Sequence, residues 1–279
     1  MDSNVYNIQD APTDGKKVFR ELRTCSRTLC YMLNREFGHP NELVERAADV
    51  LAGGILQQGH QCGMLWGASL AAGAESYRRF GNTDLAKKVT IKATQSIMSS
   101  FEQREKTTNC REITRCDFSN KLSFAKYMLS GRYRHCFELA QNWAPEAIKQ
   151  AFESISRTQA DNTEFISCAS EVARKMGAND KEIIMVAGFA GGLGLSGSAC
   201  GALSAAIWIK SLQWCREVDG KSPMKNKRSE KVLKEFMNYT NSKIICSEIT
   251  GIKFDSIDAH TEFIRSGGCA DLIDKLSRN

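Results

Sequence analysis

Several common sources of identification are missing from this chain. It has 4 prolines in 279 residues, so nothing stops long helices from running uninterrupted. It has no C-x-x-C pair, the usual mark of a structural zinc site, and no C-x-x-C-H, which haem attachment would need. No apolar run is long enough to span a bilayer. The first ten residues, MDSNVYNIQD, have neither a basic start nor an apolar segment, so no secretory signal is expected and a cytoplasmic location follows. The formal charge of +6 is spread widely, and its densest cluster, KSPMKNKRSEKVLK at 221–234, reads as a solvated helix face rather than a nucleic-acid surface. The 4 histidines, His39, His60, His135 and His260, do not correspond between the halves of the chain, so none is expected as a ligand. His60 and His135 stand close enough to a cysteine in sequence to tune a thiolate, in the first half only.

Cysteine is present in excess. Eleven in a chain expected in reducing cytosol argue against structural disulfides and leave metal ligation or redox chemistry, unless each is simply a small buried hydrophobe. An internal repeat favours the first explanation. At an offset of 138, AGGILQQGHQCG (52–63) pairs with AGGLGLSGSACG (190–201), setting Cys62 on Cys200, and Cys30 falls on Cys168. Further on, NCREIT pairs with ICSEIT, setting Cys110 on Cys246, and SGRYRHC pairs with SGGC, setting Cys136 on Cys269. Eight cysteines thus pair in order while most neighbours have drifted, leaving Cys25, Cys116 and Cys215 over. Two copies of one module, at 1–150 and 151–279, carry a shared quartet.

Apolar spacing predicts an all-α fold of two similar helical bundles, each of about five helices. Residues 82–106 and 222–239 read as equivalent long helices. The Cys-Gly segments read as a Gly-rich helix that breaks at QQGHQ or LSGSA and resumes at CGMLWG or CGALSA, which puts Cys62 and Cys200 at a helix start, where amides and the helix dipole stabilise a thiolate. Gly192, Gly194 and Gly197 spell G-x-G-x-x-G, the dinucleotide pattern, but the first copy loses the middle glycine and no βαβ unit surrounds it, so no NAD is expected.

Four soft sulfur donors suit zinc or an iron–sulfur cluster and exclude magnesium and calcium. Dispersed ligands favour the cluster. A metal-free thiol–disulfide oxidoreductase remains open, with Cys62 or Cys200 as nucleophile, as does a zinc-binding or partner-binding module, so whether the chain is an enzyme is left undecided. No haem is expected.

The ordered quartets resemble the C_GCAxxG_C_C family of redox-active proteins, in two tandem copies. Cys30, Cys62, Cys110 and Cys136 fill the pattern in the first, and Cys168, Cys200, Cys246 and Cys269 in the second. The first copy has Met64 where the family has Ala, and the second has Ala205 where it has Gly. A similar domain occurs in split-Soret cytochromes, where an iron–sulfur site accompanies haem. The resemblance therefore implies a helical fold, one iron–sulfur cluster per repeat, of [2Fe-2S] or [4Fe-4S] type and held by that repeat's four cysteines, and a redox partner protein, in a family often encoded beside transporters. No nucleic-acid partner and no membrane span are expected, and a homodimer is open.

Overall fold

The computed structural model describes residues 14–157 and 164–278; the MDSNVYNIQD segment lies outside them. It is 69% helical, with 15 α-helices and no strand among the described residues. The first repeat runs α1 (Gly15–Leu22), α2 (Cys25–Glu36), α3 (Glu42–Ala47), α4 (Gly63–Phe80), α5 (Asp84–Glu105), α6 (Cys110–Thr114), α7 (Lys121–Leu129) and α8 (Tyr133–Ser156). The second runs α9 (Cys168–Lys175), α10 (Asp180–Met185), α11 (Gly201–Glu217), α12 (Lys227–Tyr239), α13 (Cys246–Thr250), α14 (Ile257–Arg265) and α15 (Ala270–Ser277). This exceeds the expected five per half because α6, α7, α13 and α14 are too short, at five to nine residues, to show a long periodic run. Asn120 and Ser256 accept amide hydrogens at the starts of α7 and α14.

The two repeats pack through one continuous core rather than as separate bundles. Helix α10 of the second lies on α4 of the first, and α3 of the first lies on α11 of the second. Gly73 permits the first contact, since a Cβ there would stand 2.5 Å from the Met185 Cα. Trp66, fully buried, meets Phe189 edge to face at 4.8 Å across the repeat boundary, and buried Arg46 donates to the Cys215 carbonyl at 2.7 Å.

The glycine-rich segments differ from expectation. They are not right-handed helix. A 3-10 turn, Ala48–Leu51 or Ala187–Phe189, is followed by five consecutive residues in the left-handed region, Gly53 to Gln57 and Gly191 to Leu195. Left-handed backbone costs about 1–2 kcal/mol for each residue bearing a Cβ, which explains the glycines. At Gly54 and Gly192 a Cβ would also stand 2.3 and 2.6 Å from the amide nitrogens of His60 and Ser198. The turn closes on itself: the amides of Gly194, Leu195 and Gly197 donate to the carbonyls of Gly188, Ala190 and Gly191, so they are not presented to a phosphate.

Candidate functional site

Each left-handed turn delivers a cysteine into a short antiparallel bridge. Gln61 pairs with Asn109, and Ala199 pairs with Ile245. In the first repeat the Cys62 amide donates to the Thr108 carbonyl at 2.7 Å and the Cys110 amide to the His60 carbonyl at 2.7 Å. In the second, the Cys200 amide donates to the Ile244 carbonyl at 2.8 Å and the Cys246 amide to the Ser198 carbonyl. Two cysteines 46 or 48 residues apart are thereby pinned side by side by backbone alone. The threonine of each C-x-E-I-T stretch completes the turn, Thr114 Oγ1 donating to the Cys110 carbonyl at 2.6 Å and Thr250 Oγ1 to the Cys246 carbonyl at 2.9 Å.

In the second repeat all four expected residues converge. Cys168 opens α9, Cys200 and Cys269 are the residues before α11 and α15, and Cys246 opens α13. They line one cavity with His260, Phe254 and Phe263. The enclosed space is about 10 Å³, which holds about one water. Burial pushes all four thiols up, and the charge of neighbouring thiolates raises Cys168, Cys200 and Cys246 further; Cys200 reaches about 12 although the Leu203 and Ala202 amides pull it down part of the way. His260 is 1% exposed, and burial lowers its imidazole to about 4.

The first repeat needs a correction. Cys62, at the start of α4, Cys110, at the start of α6, and Cys136, in the first turn of α8, gather with Cys25, not with Cys30. Cys25 is the first residue of α2, as Cys168 is of α9. Cys30 lies five residues further along α2, wholly buried, where Asn34 Nδ2 donates to its sulfur at 3.7 Å. It is a small core residue against the close approach of α4. A constant offset selected it because α2 has 12 residues and α9 has 8, so one repeat carries an extra turn. The usable signal was the hydroxyl residue directly before each true partner, Thr24 before Cys25 and Ser167 before Cys168.

The Cys25 sulfur lies against Cys62, whose thiol donates to it. That bond, opposed by burial and helped by the amides of Gly53 and Ser26, holds Cys25 below an ordinary thiol; the same contact and burial drive Cys62 up. Gly63 makes the space, since a Cβ there would lie 2.6 Å from the Cys25 sulfur. Cys136 is pushed to about 11 by burial, and the Tyr127 hydroxyl, 3.5 Å from its sulfur, is placed to donate to the thiolate. His135 pairs with Glu105 at 2.7 Å and the His60 ring faces Arg111, so neither hydrogen-bonds a sulfur. Cys116 and Cys215 lie outside both quartets, next to Ser123 and Arg46 respectively.

All the cysteines are free thiols. Among the described residues, no three Cys, His, Asp or Glu side chains are drawn tightly enough to hold a single metal ion. The donor chemistry, four sulfurs with no carboxylate among them, fits a soft metal group, whereas the void at the second site is smaller than a polynuclear group.

The profile of a family described as "Putative redox-active protein (C_GCAxxG_C_C)" matches residues 23–149 and again 166–278. The chain belongs to this family. Its two family segments are a tandem duplication, the first beginning just before Cys25 and both ending beyond the last cysteine of a quartet. A redox role is the family's stated property. No curated protein and no solved structure matches the chain. No helix of the described residues is long and apolar enough to cross a membrane.

Proposed function

We propose that the chain is an electron-transfer protein whose two four-cysteine sites each hold an iron–sulfur cluster, the first by Cys25, Cys62, Cys110 and Cys136 and the second by Cys168, Cys200, Cys246 and Cys269. The observation that carries this reading is the convergence, twice, of four buried or half-buried cysteines from helix starts and bridge ends. The four thiols of the second site stay protonated on their own because burial raises them, and in the first site only Cys25 is lowered; a polycation in the midst of either quartet makes ionisation of the others favourable. A bound cluster would supply one-electron chemistry at a potential set by burial and by hydrogen bonds to sulfur. The chain contributes amides at Gly53, Ala202 and Leu203 and one phenol at Tyr127, all facing sulfur. It also contributes an apolar wall that limits water. A redox partner protein must deliver or take the electrons.

Anaerobic purification followed by an absorbance spectrum and iron and sulfide analysis tests the proposal. Visible charge-transfer bands and iron at two clusters per chain are expected, halved by Cys110→Ser or by Cys246→Ser. Colourless, iron-free protein that cannot be reconstituted overturns it.

One observation favours a second reading at the first site alone. Cys25 and Cys62 are in direct sulfur contact, as a dithiol couple requires. Joining them forms one S–S bond and releases two protons and two electrons, which a two-electron acceptor must take. Mass spectrometry after alkylation, with and without oxidant, would find a reversible Cys25–Cys62 disulfide if this is the chemistry, and only free thiols if it is not.

A further inference from the structure

The second site contains a donor that the quartet pattern does not include. His260 lies in α14, lines the same cavity as Cys168, Cys200, Cys246 and Cys269, and is 1% exposed. Its Nδ1 is buried and has no hydrogen-bond partner. The ring packs edge to face on Phe254, with centroids 5.0 Å apart. Two other histidines are paired with carboxylates, His39 with Glu75 at 2.9 Å and His135 with Glu105 at 2.7 Å. Leaving a buried ring nitrogen unpaired costs about 1–3 kcal/mol, and such atoms in folded proteins call for an explanation. Within a cavity walled by four sulfurs, a ligand in that cavity is the explanation at hand. Neutral imidazole binds the same metals that thiolates bind, zinc and iron among them.

We infer that His260 is a metal-binding residue of the second site, its Nδ1 joining the cysteine sulfurs as these residues, too far apart to hold a single ion on their own, draw in around a soft metal group. This rests on reading the quartets as metal centres. The nitrogen belongs to the second repeat alone. Counting back three residues from Phe263 reaches His260, and counting back three from Tyr127 in α7 reaches Phe124, which is 45% exposed. The duplicated sites have therefore diverged into a thiolate site with a phenol beside it and a mixed sulfur–nitrogen site.

Cadmium(II) added alone to the reduced, metal-free full-length chain, labelled with nitrogen-15 in its 4 histidines, tests the assignment. Substitution of His39, His60 and His135 by Gln, one at a time, assigns the remaining ring signal to His260. Cadmium is expected to shift the His260 Nδ1 resonance and, as cadmium-113, to split it by direct bonding, with the other three rings unsplit. His260→Phe is expected to keep the cysteines' binding but weaken the second-site affinity about tenfold or more. Cadmium bound at the second site with the His260 ring unmoved overturns the assignment and leaves the four-cysteine reading standing. Absence of any second-site binding overturns both. If His260→Phe does not fold, the splitting in the unsubstituted chain still decides. Failure of the iron test with a split His260 signal removes the cluster and keeps the histidine.

Discussion

In the first repeat the last cysteine sits under Tyr127, on a helix whose other residues mostly face solvent, with Leu122 83% and Leu129 90% exposed. In the second it sits under Phe263 and buried His260, on a helix with a distinctly polar outer face including Asp258 and Glu262. The backbone bridge, the left-handed turn and the Thr114 and Thr250 hydroxyls are the same in both. Duplication has thus preserved the frame that gathers sulfur and varied the groups that cover it. Those covering groups set solvent access and hydrogen bonding to sulfur, the levers that tune a redox centre.

The largest expected difference between the repeats lies in how closely their helices pack. At Gly67 a Cβ would fall 2.0 Å from the Ser26 carbonyl oxygen, whereas the second repeat already carries Ala205 at the matching place, fully buried. Gly67→Ala should destabilise the fold by about 3 kcal/mol or more and disrupt the first site, because α2 carries Cys25. Ala205→Gly should cost only about 1 kcal/mol, the ordinary helix penalty of glycine. Denaturant unfolding of both variants measures the contrast, and equal losses would remove it.

The assignment of Cys25 over Cys30 comes next. Cys25→Ser should abolish metal loading of the first site and leave the second at full occupancy. Cys30→Ala should leave both loaded and cost about 1 kcal/mol of packing. Metal analysis of the pair, with thermal melts, reverses the assignment if Cys30 is the residue that matters.

Thiol reactivity offers a third contrast. In reduced, metal-free protein at pH 7, Cys25 should be alkylated well before Cys168 and Cys200, since the Cys62 thiol lowers it while burial raises the other two. Its rate should persist as the pH falls below the ordinary thiol range, because a depressed value keeps the thiolate populated there. Timed peptide mapping checks the order. The smallest effect is expected from Tyr127→Phe, which deletes the one phenol facing a site sulfur. In loaded protein it should shift the first site's potential negative by the equivalent of about 1 kcal/mol and leave the second unmoved. Equal shifts at both sites would show that the phenol acts through the fold and not through Cys136.

Much of this was legible beforehand. The long helices expected at 82–106 and 222–239 are α5 and, after a short 3-10 turn at Pro223–Lys225, α12. Seven of the eight expected cysteines stand in the two quartets, because Cys-Gly and C-x-E-I-T are local patterns that a self-comparison keeps in register. The miss at Cys30 arose where the register slips: α2 is longer than α9, and a single offset cannot follow a change in helix length. His260 was set aside because it has no partner in the first repeat. Repetition detects what two copies share and is blind to what one has acquired.

The sequence by itself determined the helical fold, the duplication, and which stretches turn and deliver sulfur, since helical periodicity, glycine and capping act over a few residues. Only the tertiary structure decided which cysteines meet, that both repeats share one core, and that a histidine lines one of the two sites. Those outcomes depend on helix lengths and on backbones approaching within a few ångströms, as at Gly63 and Gly67, and such contacts join residues far apart in the chain.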